Sequence, residues 1–551
     1  MTKYNKLTPE GTSDMLFEEC SSEKKIIRKL ETVFENDGYR QVRTPGLEFL
    51  SVFASNSEYF PQESMYKFSD SKGRMVAVRP DSTIPIARLT STKLQGCDLP
   101  IRLYYAQNVF RTQEEHRGLS SEIMQMGVEL IGERGIESDI DMIDLAIRSL
   151  SEAYSGGFRI EIGHVGLYKK LMSKLGAEED EKENIHRYIT VKNYSALEDI
   201  LDRFEDKRTA ELIRKLPSLF GSEKALDDAA AMFSGYDNEI SEILSYVRNV
   251  FDELCRRGYE EKVMIDLGLV NQAEYYSSLV FKGYGDSAGE PLLSGGRYDE
   301  LFADYGKDFP ATGFAVNVDL LTDADVNCSR GDCKCGEPQS DADAKPLRIA
   351  LTKGRLEKDF IDTMEKAGYD VSPVREKGRK LLISIPGAGL EIFLAKAADV
   401  ITYVEHGVCE IGIVGKDTIA EQGGVYYEIM DLGFGKCRFA LAAPKGAEIF
   451  DSIGSKVIAS KYPNFAGRYF QSKGMDVEII KIEGSVEIAP LLNLADGIVD
   501  IVETGTTLKE NGLEVIDYIR NISARLIVNV TGMKLRKKEI DEFVSKLEAN
   551  L

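Results

Sequence analysis

Near the C-terminal end, the stretch Asp500-Ile-Val-Glu-Thr-Gly-Thr-Thr-Leu-Lys509 sets two carboxylates beside three hydroxyls and a glycine. The apolar, β-branched run that leads into it, bounded by Gly497, has the pattern of a buried strand. Thr504, Gly505, Thr506 and Thr507 then turn the chain, and Leu508 to Asn511 offer one helical turn closed by Gly512. A strand, a small-residue turn and a helix start leave several backbone N–H groups pointing one way, which is an anion cradle, and the threonine hydroxyls add donors. Asp500 and Glu503 at its mouth suit the hydroxyls of a sugar, which offer donors to carboxylates. The chemistry this spacing can do is to hold a sugar phosphate; the plainer alternative is a capped strand–turn–helix. A second anion site is written in Lys353, Gly354 and Arg355, a basic turn between a strand at Leu347–Leu351 and a helix running to Lys366.

The elements that must position these groups follow from periodicity. Residues 380–385 and 390–394 read as a strand pair around Pro386-Gly-Ala-Gly389, residues 399–406 as a helix, and residues 409–417 as strand, turn and helix. This βαβα alternation implies a parallel sheet with helices on both faces. Upstream, Glu23 to Asp37 is amphipathic and helical, and residues 41–48 form a strand with Pro45 at an edge. Further strands are expected at 75–83, 102–111 and 122–131, with a loop at 112–120 between the last two. Gly157 to about Tyr259 reads as a mostly helical insertion without chemistry of its own, where His164 and His186 are structural; His406 is a structural helix residue rather than a base. Thr322 to about Pro346 has no aromatic and little that is apolar, the composition of a solvated linker between two folded parts. Its Cys328, Cys333 and Cys335 lack paired metal-ligand spacing and are linker thiols.

Composition sets outer bounds. A chain of 551 residues has room for roughly two or three domains. A formal net charge of -22 disfavours a general nucleic-acid or anionic-membrane surface, so anionic ligands must meet local cations. No apolar run reaches membrane-spanning length and the first residues hold no signal-peptide core. Eight cysteines are too few for a disulfide scaffold at this length, and a reducing cytoplasm is expected.

In Met1–Leu321, strand–loop–strand with Arg111 ending the first strand resembles the second signature motif of class II aminoacyl-tRNA synthetases. Pro45 fits the first motif, and Gly313-Phe-Ala-Val-Asn-Val-Asp-Leu-Leu321 sits where the third should be. Pro9-Glu-Gly-Thr-Ser-Asp14, Arg79-Pro-Asp-Ser-Thr83, Tyr275-Tyr276 and Ser294-Gly-Gly-Arg-Tyr-Asp299 are similar to histidyl-tRNA synthetase and to its paralogue, the regulatory subunit of ATP phosphoribosyltransferase. Departures choose between the two. The synthetase's third motif carries an ATP-holding arginine where this chain has Leu320, after Asp319, and its Arg-Gly-Leu-Asp-Tyr-Tyr motif is here Asn271-Gln-Ala-Glu-Tyr-Tyr276. Neither leucine nor asparagine replaces a guanidinium acting on carboxylate and phosphate. No anticodon-binding domain follows the third motif. The resemblance therefore implies a pseudoenzyme with an antiparallel class II sheet. Its histidine-shaped effector pocket would be lined by Asp81, Thr83, Arg111, Gln125, Glu129, Tyr275 and Tyr276.

Residues 347–551 resemble the short-form catalytic subunit of ATP phosphoribosyltransferase. The resemblance rests on Thr352-Lys-Gly-Arg-Leu356, Tyr403-Val-Glu-His-Gly407, Gly412-Ile-Val-Gly-Lys-Asp417, Asp431-Leu-Gly-Phe-Gly-Lys-Cys-Arg438, Lys461-Tyr-Pro-Asn464, Gly484-Ser-Val-Glu487 and the sugar-phosphate loop. It implies two α/β lobes like a type II periplasmic binding protein, one of residues 347–436 and 525–551 and the other of 437–524, with the site in the cleft. Short-form subunits need a separate synthetase-like regulator, and here both stand on one chain.

The implied reaction joins ATP to phosphoribosyl pyrophosphate, giving phosphoribosyl-ATP and pyrophosphate at the start of histidine biosynthesis. The regulatory half would be required for activity and for feedback inhibition by histidine. By the resemblance, Lys353, Arg355, Arg379 and Lys396 are the cations for pyrophosphate and the ATP phosphates, with Lys396 standing where the family usually has arginine. Asp500, Glu503, Thr504, Gly505, Thr506, Thr507 and Leu508 would hold the ribose and its 5-phosphate, and Gly354, Ser485 and Glu487 would help to fix substrate. Mg²⁺ would arrive on the pyrophosphate oxygens, with no metal site built by the protein alone. A homo-oligomer, with neither nucleic acid nor membrane as partner, is expected. A non-catalytic metabolite sensor is the alternative, disfavoured by the basic turn, phosphate loop and ribose carboxylates occurring together. A tRNA-linked enzyme is disfavoured by Leu320, Asn271, the acidic charge and the missing anticodon domain.

Overall fold

The computed structural model describes residues 7–54, 64–112, 120–190, 194–269, 275–286, 289–329, 345–447, 449–450, 456–503 and 505–551. They fall into two compact units, Met1–Gln339 and Ser340–Leu551. Among the described residues no helix is long and apolar enough to cross a membrane.

The first unit is built on a nine-stranded, mostly antiparallel sheet. Strands Ile101–Phe110 and Glu122–Ile131 pair along their full length, from Ile101 opposite Ile131 to Phe110 opposite Glu122. Side chains alternate across such strands, and that alternation divides the unit into two jobs. Tyr104, Met126 and Val128 face an apolar layer with Ile26, Leu30 and Phe34 of helix Phe17–Asn36 and Ile143 and Ile147 of helix Ile136–Ala153. Tyr105 and Ile131 face the other way, among Ile84, Tyr275, Tyr276 and Tyr298.

Several expectations need correcting here. The first helix begins at Phe17, ahead of Glu23. Residues 41–48 are not one strand: Arg40–Gln41 and Leu47–Phe49 are separate, with Pro45, which has no N–H to give, between them. The strand at Met75 ends at Val78, and Thr83 already opens the helix Thr83–Lys93. The helical insertion does not begin at Gly157, because Phe158–His164 is an interior strand of the large sheet, antiparallel to Leu279–Gly285 and parallel to Val263–Asp266. Nor does the linker begin at Thr322. Helix Val318–Ser329 runs on through it, burying Thr322, Ala324 and Val326. Its Asp325 accepts from Ser22 Oγ at 2.7 Å and from Lys25 Nζ at 2.9 Å. Cys333 and Cys335 lie outside the described residues.

The second unit has two sheets. One orders Leu382–Ile385, Leu390–Ala395, Leu347–Thr352, Ile411–Gly415, Ala524–Val528 and Tyr427–Asp431. Its centre is parallel, but Leu382–Ile385 and Ala524–Val528 run antiparallel to their neighbours, so the sheet is mixed rather than parallel. The other orders Val477–Lys481, Lys456–Ser460, Gly497–Val502, Cys437–Pro444 and Leu513–Ile522. The chain crosses between the lobes after Asp431 and again at Ser523. The crossings are tied together: the Leu432 N–H donates to the Ala524 carbonyl and the Ala524 N–H to the Phe434 carbonyl, both at 2.9 Å. Each lobe has its own apolar core, Val400, Val404, Val414 and Ile527 in the first, Phe439, Phe470 and Val499 in the second.

Candidate functional site

The first lobe presents its cations at the carboxyl ends of parallel strands, where open α/β sheets bind ligands. The Lys353 N–H donates to the Ala395 carbonyl at 2.9 Å, which sets Lys353 beside Lys396, the residue that begins helix Ala397–Glu405. Arg355 opens helix Arg355–Lys366, and Glu357 one turn in accepts the Gly354 N–H at 3.3 Å. Glu357 also pairs with Lys377, whose pKa is lowered by partial burial and by the Lys353 charge. Lys377 thus joins a basic cluster that the motifs did not include. Arg379 is exposed in the turn before Leu382, and among the described residues no ion pair ties it to the others.

The second lobe answers with carboxylates. Asp500, on strand Gly497–Val502, is half-buried, and desolvation, with Glu487 and Asp417 nearby, pushes its pKa up to about 6 against the pull of Lys461. Glu503 directly follows the strand and accepts from Arg355 Nη1 at 2.8 Å across the cleft. This pair raises the Arg355 pKa. Thr504 lies outside the described residues. Gly505 holds a φ of +74°, a turn that a side chain would strain, and the short helix Thr506–Glu510 follows with Thr506 and Thr507 exposed. The first N–H groups of a helix have no acceptor inside it. Leu508 turns its side chain into the lobe core with Val502, Val486 and Leu513, so it can offer substrate only its backbone. Ser485 is exposed beside buried Val486, and Glu487 starts the turn Ile488–Leu491 within electrostatic reach of Asp500. Among the described residues no group of three His, Cys, Asp or Glu side chains is placed to hold a metal ion.

The first unit holds a different kind of candidate site, a cluster of buried polar side chains on the Tyr105 face. Glu129 is 2 % exposed, accepts from Thr83 Oγ1 at 2.8 Å and from the Tyr298 hydroxyl, and is raised by burial to about 8. A Cβ on Gly313 would stand 2.1 Å from its carboxylate, so only glycine lets the neighbouring strand pass. Asp81 is buried beside it, its pKa raised by desolvation while the Arg111 charge pulls the other way. Arg111 Nε donates to the Pro80 carbonyl at 3.0 Å. Tyr275 and Tyr276 meet with tilted rings, centroids 4.8 Å apart, and Tyr298 stands edge-on to Tyr275. Gln125 shares the Glu129 face by alternation. The expected lining left out Tyr105 and Tyr298, although Tyr298 stands within the Ser294–Asp299 motif. The signal for Tyr105 is its register opposite Gly127, where a Cβ would come 2.5 Å from the phenol oxygen.

Other motif residues are structural. Arg79 donates to the Thr44 and Pro45 carbonyls at 3.0 Å and to the Asn108 carbonyl at 3.1 Å, pinning strand ends. Arg297 pairs with Asp139 at 2.7 Å and Asp299 at 3.0 Å. His164 accepts the Gly166 N–H through Nδ1 at 3.1 Å and sits 2.9 Å from Ser278 Oγ; burial lowers its pKa to about 4. Leu320 packs against the core, and Asp319 accepts the Met124 N–H at 2.9 Å.

Comparison with known proteins adds independent findings. A family model described as histidyl-tRNA synthetase matches residues 11–321, and one described as ATP phosphoribosyltransferase matches residues 396–549. An ATP phosphoribosyltransferase regulatory subunit from Bacillus cereus is 40% identical over 329 residues, which is 59% of this chain and 77% of that protein. The corresponding protein from Bacillus thuringiensis is likewise 40% identical with the same coverage. A solved structure from Bacillus halodurans, described as an ATP phosphoribosyltransferase regulatory subunit/histidyl-tRNA synthetase, is 28% identical with a TM-score of 0.53. That match covers 71% of this chain and 93% of the solved one.

Proposed function

We infer the function of this chain from its family: it belongs to the histidyl-tRNA synthetase family through residues 11–321, among the ATP phosphoribosyltransferase regulatory subunits, and carries an ATP phosphoribosyltransferase domain over residues 396–549. It is an ATP phosphoribosyltransferase of histidine biosynthesis with its regulatory unit on the same chain. The observation that carries the site assignment is the meeting of Arg355 and Glu503 across the cleft at 2.8 Å, a phosphate-type cation against a ribose-type carboxylate.

In the reaction an adenine ring nitrogen of ATP attacks the anomeric carbon of phosphoribosyl pyrophosphate. The new C–N bond forms as the C–O bond to pyrophosphate breaks, and the electron pair leaves with pyrophosphate. Charge therefore develops as positive on the ribose and negative on the leaving group, and alignment of two polyanions is most of the task. Gly505 to Leu508 supply N–H and hydroxyl donors to the 5-phosphate. Asp500 and Glu503 take the ribose hydroxyls and face the developing cation. Lys353, Arg355, Arg379 and Lys396 receive pyrophosphate and the ATP phosphates, with Lys377 reinforcing the same cluster, while Gly354, Ser485 and Glu487 border the substrate.

Arg355 must leave Glu503 to do this. Both side chains are more than half exposed, 58% and 55%, and an exposed pair is worth about 0–1 kcal/mol, so a phosphate displaces it at small cost. The carboxylate oxygens of Asp500 and Glu503 suit a small hard cation held mainly by substrate and water, and Mg²⁺ bound there would offset pyrophosphate charge.

The buried polar cluster of the first unit is the histidine site in this reading. Asp81 and Glu129 take the amino group, Arg111 the carboxylate, and Thr83, Gln125, Tyr275 and Tyr276 the rim, within an oligomer of the fused chain. The test is absorbance of phosphoribosyl-ATP formation from ATP, phosphoribosyl pyrophosphate and Mg²⁺, with and without histidine. Turnover suppressed by histidine is the expected result. Well-folded protein without turnover overturns the catalytic assignment, and turnover indifferent to histidine overturns the effector assignment.

A further inference from the structure

Two motifs, Gly412 to Asp417 and Lys461 to Asn464, have no part in the substrate contacts assigned above. The fold brings them against each other across the lobes of the second unit. Tyr462 precedes helix Pro463–Ser472 of the second lobe, and its hydroxyl donates to Asp417 Oδ2 of the first lobe at 3.1 Å. One turn further on, the Glu421 carboxylate accepts the Asn464 N–H at 3.1 Å and the Phe465 N–H at 3.0 Å. A carboxylate from one lobe thus caps the first turn of a helix in the other. Asn464 Nδ2 returns a bond to the Glu421 carbonyl at 3.3 Å, and the Arg468 guanidinium donates to the Ala420 carbonyl.

Both sides of this seam are braced. The Tyr462 ring is buried edge-on to Phe439, with centroids 5.1 Å apart. Its N–H donates to Ser460 Oγ at 2.9 Å, and Ser460 donates to the Val499 carbonyl at 2.6 Å, the residue before Asp500. On the other side, a Cβ on Gly415 would stand 2.1 Å from Asp417 Oδ1, so the carboxylate is folded over its own turn. The neighbouring Lys416 is held by buried Glu428. The hydroxyl therefore links the strand that carries Asp500 to the lobe that carries Lys353, Arg355 and Lys396.

We propose that Tyr462 and Asp417 are positioning residues for phosphoribosyl transfer, forming with Glu421 and Asn464 an interlobe latch that fixes the spacing between the ribose carboxylates and the leaving-group cations. The proposal rests on the catalytic reading given above for this cleft. Because the two charge sets sit on different lobes, a small change in their separation costs alignment rather than contact.

The experiment uses the full chain and the variants Tyr462→Phe, Asp417→Ala and Asp417→Asn. Tyr462→Phe keeps the ring against Phe439 and removes only the donor. Expected are a fall in kcat of about 10- to 100-fold with KM for both substrates changed less than about threefold, and faster amide hydrogen exchange at Asn464 and Phe465. Asp417→Asn, which retains an acceptor for the hydroxyl, keeps more activity than Asp417→Ala. Tyr462→Phe combined with Asp417→Ala is no worse than the more damaged single variant, because both remove one bond. Unchanged kcat and exchange in Tyr462→Phe, or losses that multiply in the double variant, overturn the latch. If the unaltered chain shows no turnover, the catalytic reading fails while amide exchange at Asn464 and Phe465 still decides whether the seam is a latch.

Discussion

The two proposed ligand sites pose opposite problems. In the first unit, Glu129 and Asp81 are buried, ringed by Tyr105, Tyr275, Tyr276 and Tyr298, and desolvation shifts their carboxyls upward. In the second, Lys353, Arg355, Arg379, Lys396 and Glu503 stand exposed on two lobes, while Asp500, Glu487 and Lys377 are partly withdrawn from water. A buried pocket makes each polar group costly unless it is matched, so it discriminates one small ligand by its donor and acceptor pattern. An open cleft tolerates highly charged substrates, exchanges them readily and draws specificity from alignment between lobes. In the proposed reading, recognition is concentrated where solvent is excluded, and chemistry where charge can still move.

Arg355→Ala gives the largest break in this contrast. Turnover should fall by about 10²- to 10³-fold, the scale for losing one transition-state charge contact, whereas Leu320→Ala changes steady-state turnover less than about twofold. Equal losses from both would put the active half in the wrong unit. Next comes Glu129→Gln, which keeps the shape of the pocket but cannot become an anion. Histidine binding, followed by calorimetry, should weaken by about 10- to 100-fold with turnover in the absence of histidine retained; unchanged binding would move the effector elsewhere.

The pH profile sharpens the cleft side. The Asp500 carboxyl is raised from the ordinary 3.8 to about 6 by burial, so between those values the folded chain holds a proton that the unfolded chain has released. Its share of stability therefore rises on acidification through that window. Turnover, which needs the carboxylate, falls as pH drops through about 6, and Asp500→Asn removes the inflection. An unchanged profile in that variant would separate Asp500 from the ribose. The smallest effect is expected of Glu503→Gln on unfolding. Denaturation should shift by less than about 1 kcal/mol, as for an exposed pair, although turnover suffers.

The second unit was readable from sequence because its chemistry lies in short turns after strands, where Lys353-Gly354-Arg355 and Gly505-Thr506-Thr507 announce themselves by residue type. The Arg355–Glu503 contact was not readable, since it depends on how two lobes meet. In the first unit the strand Phe158–His164 was hidden beside a long helical region, although Phe158, Ile160 and Ile162 alternate. Helix Val318–Ser329 escaped because its outer face is as polar as a linker; Asp325 is fixed by Ser22 and Lys25, contacts about which local composition is silent. Tyr105 and Tyr298 enter the pocket by register and folding, not by proximity in sequence, and Leu508 shows the converse, a motif residue whose side chain serves the core.

The bonds from Ser22 and Lys25 to Asp325 have one more consequence. They bring the start of the unit's first described helix against the end of its last. That is the geometry of a cassette: a folded body that can be appended, transplanted or excised without rethreading its sheet. Helix Val318–Ser329 carries both Thr322 and Asp325, so a cut at Thr322 would part Asp325 from the unit and sever the clasp.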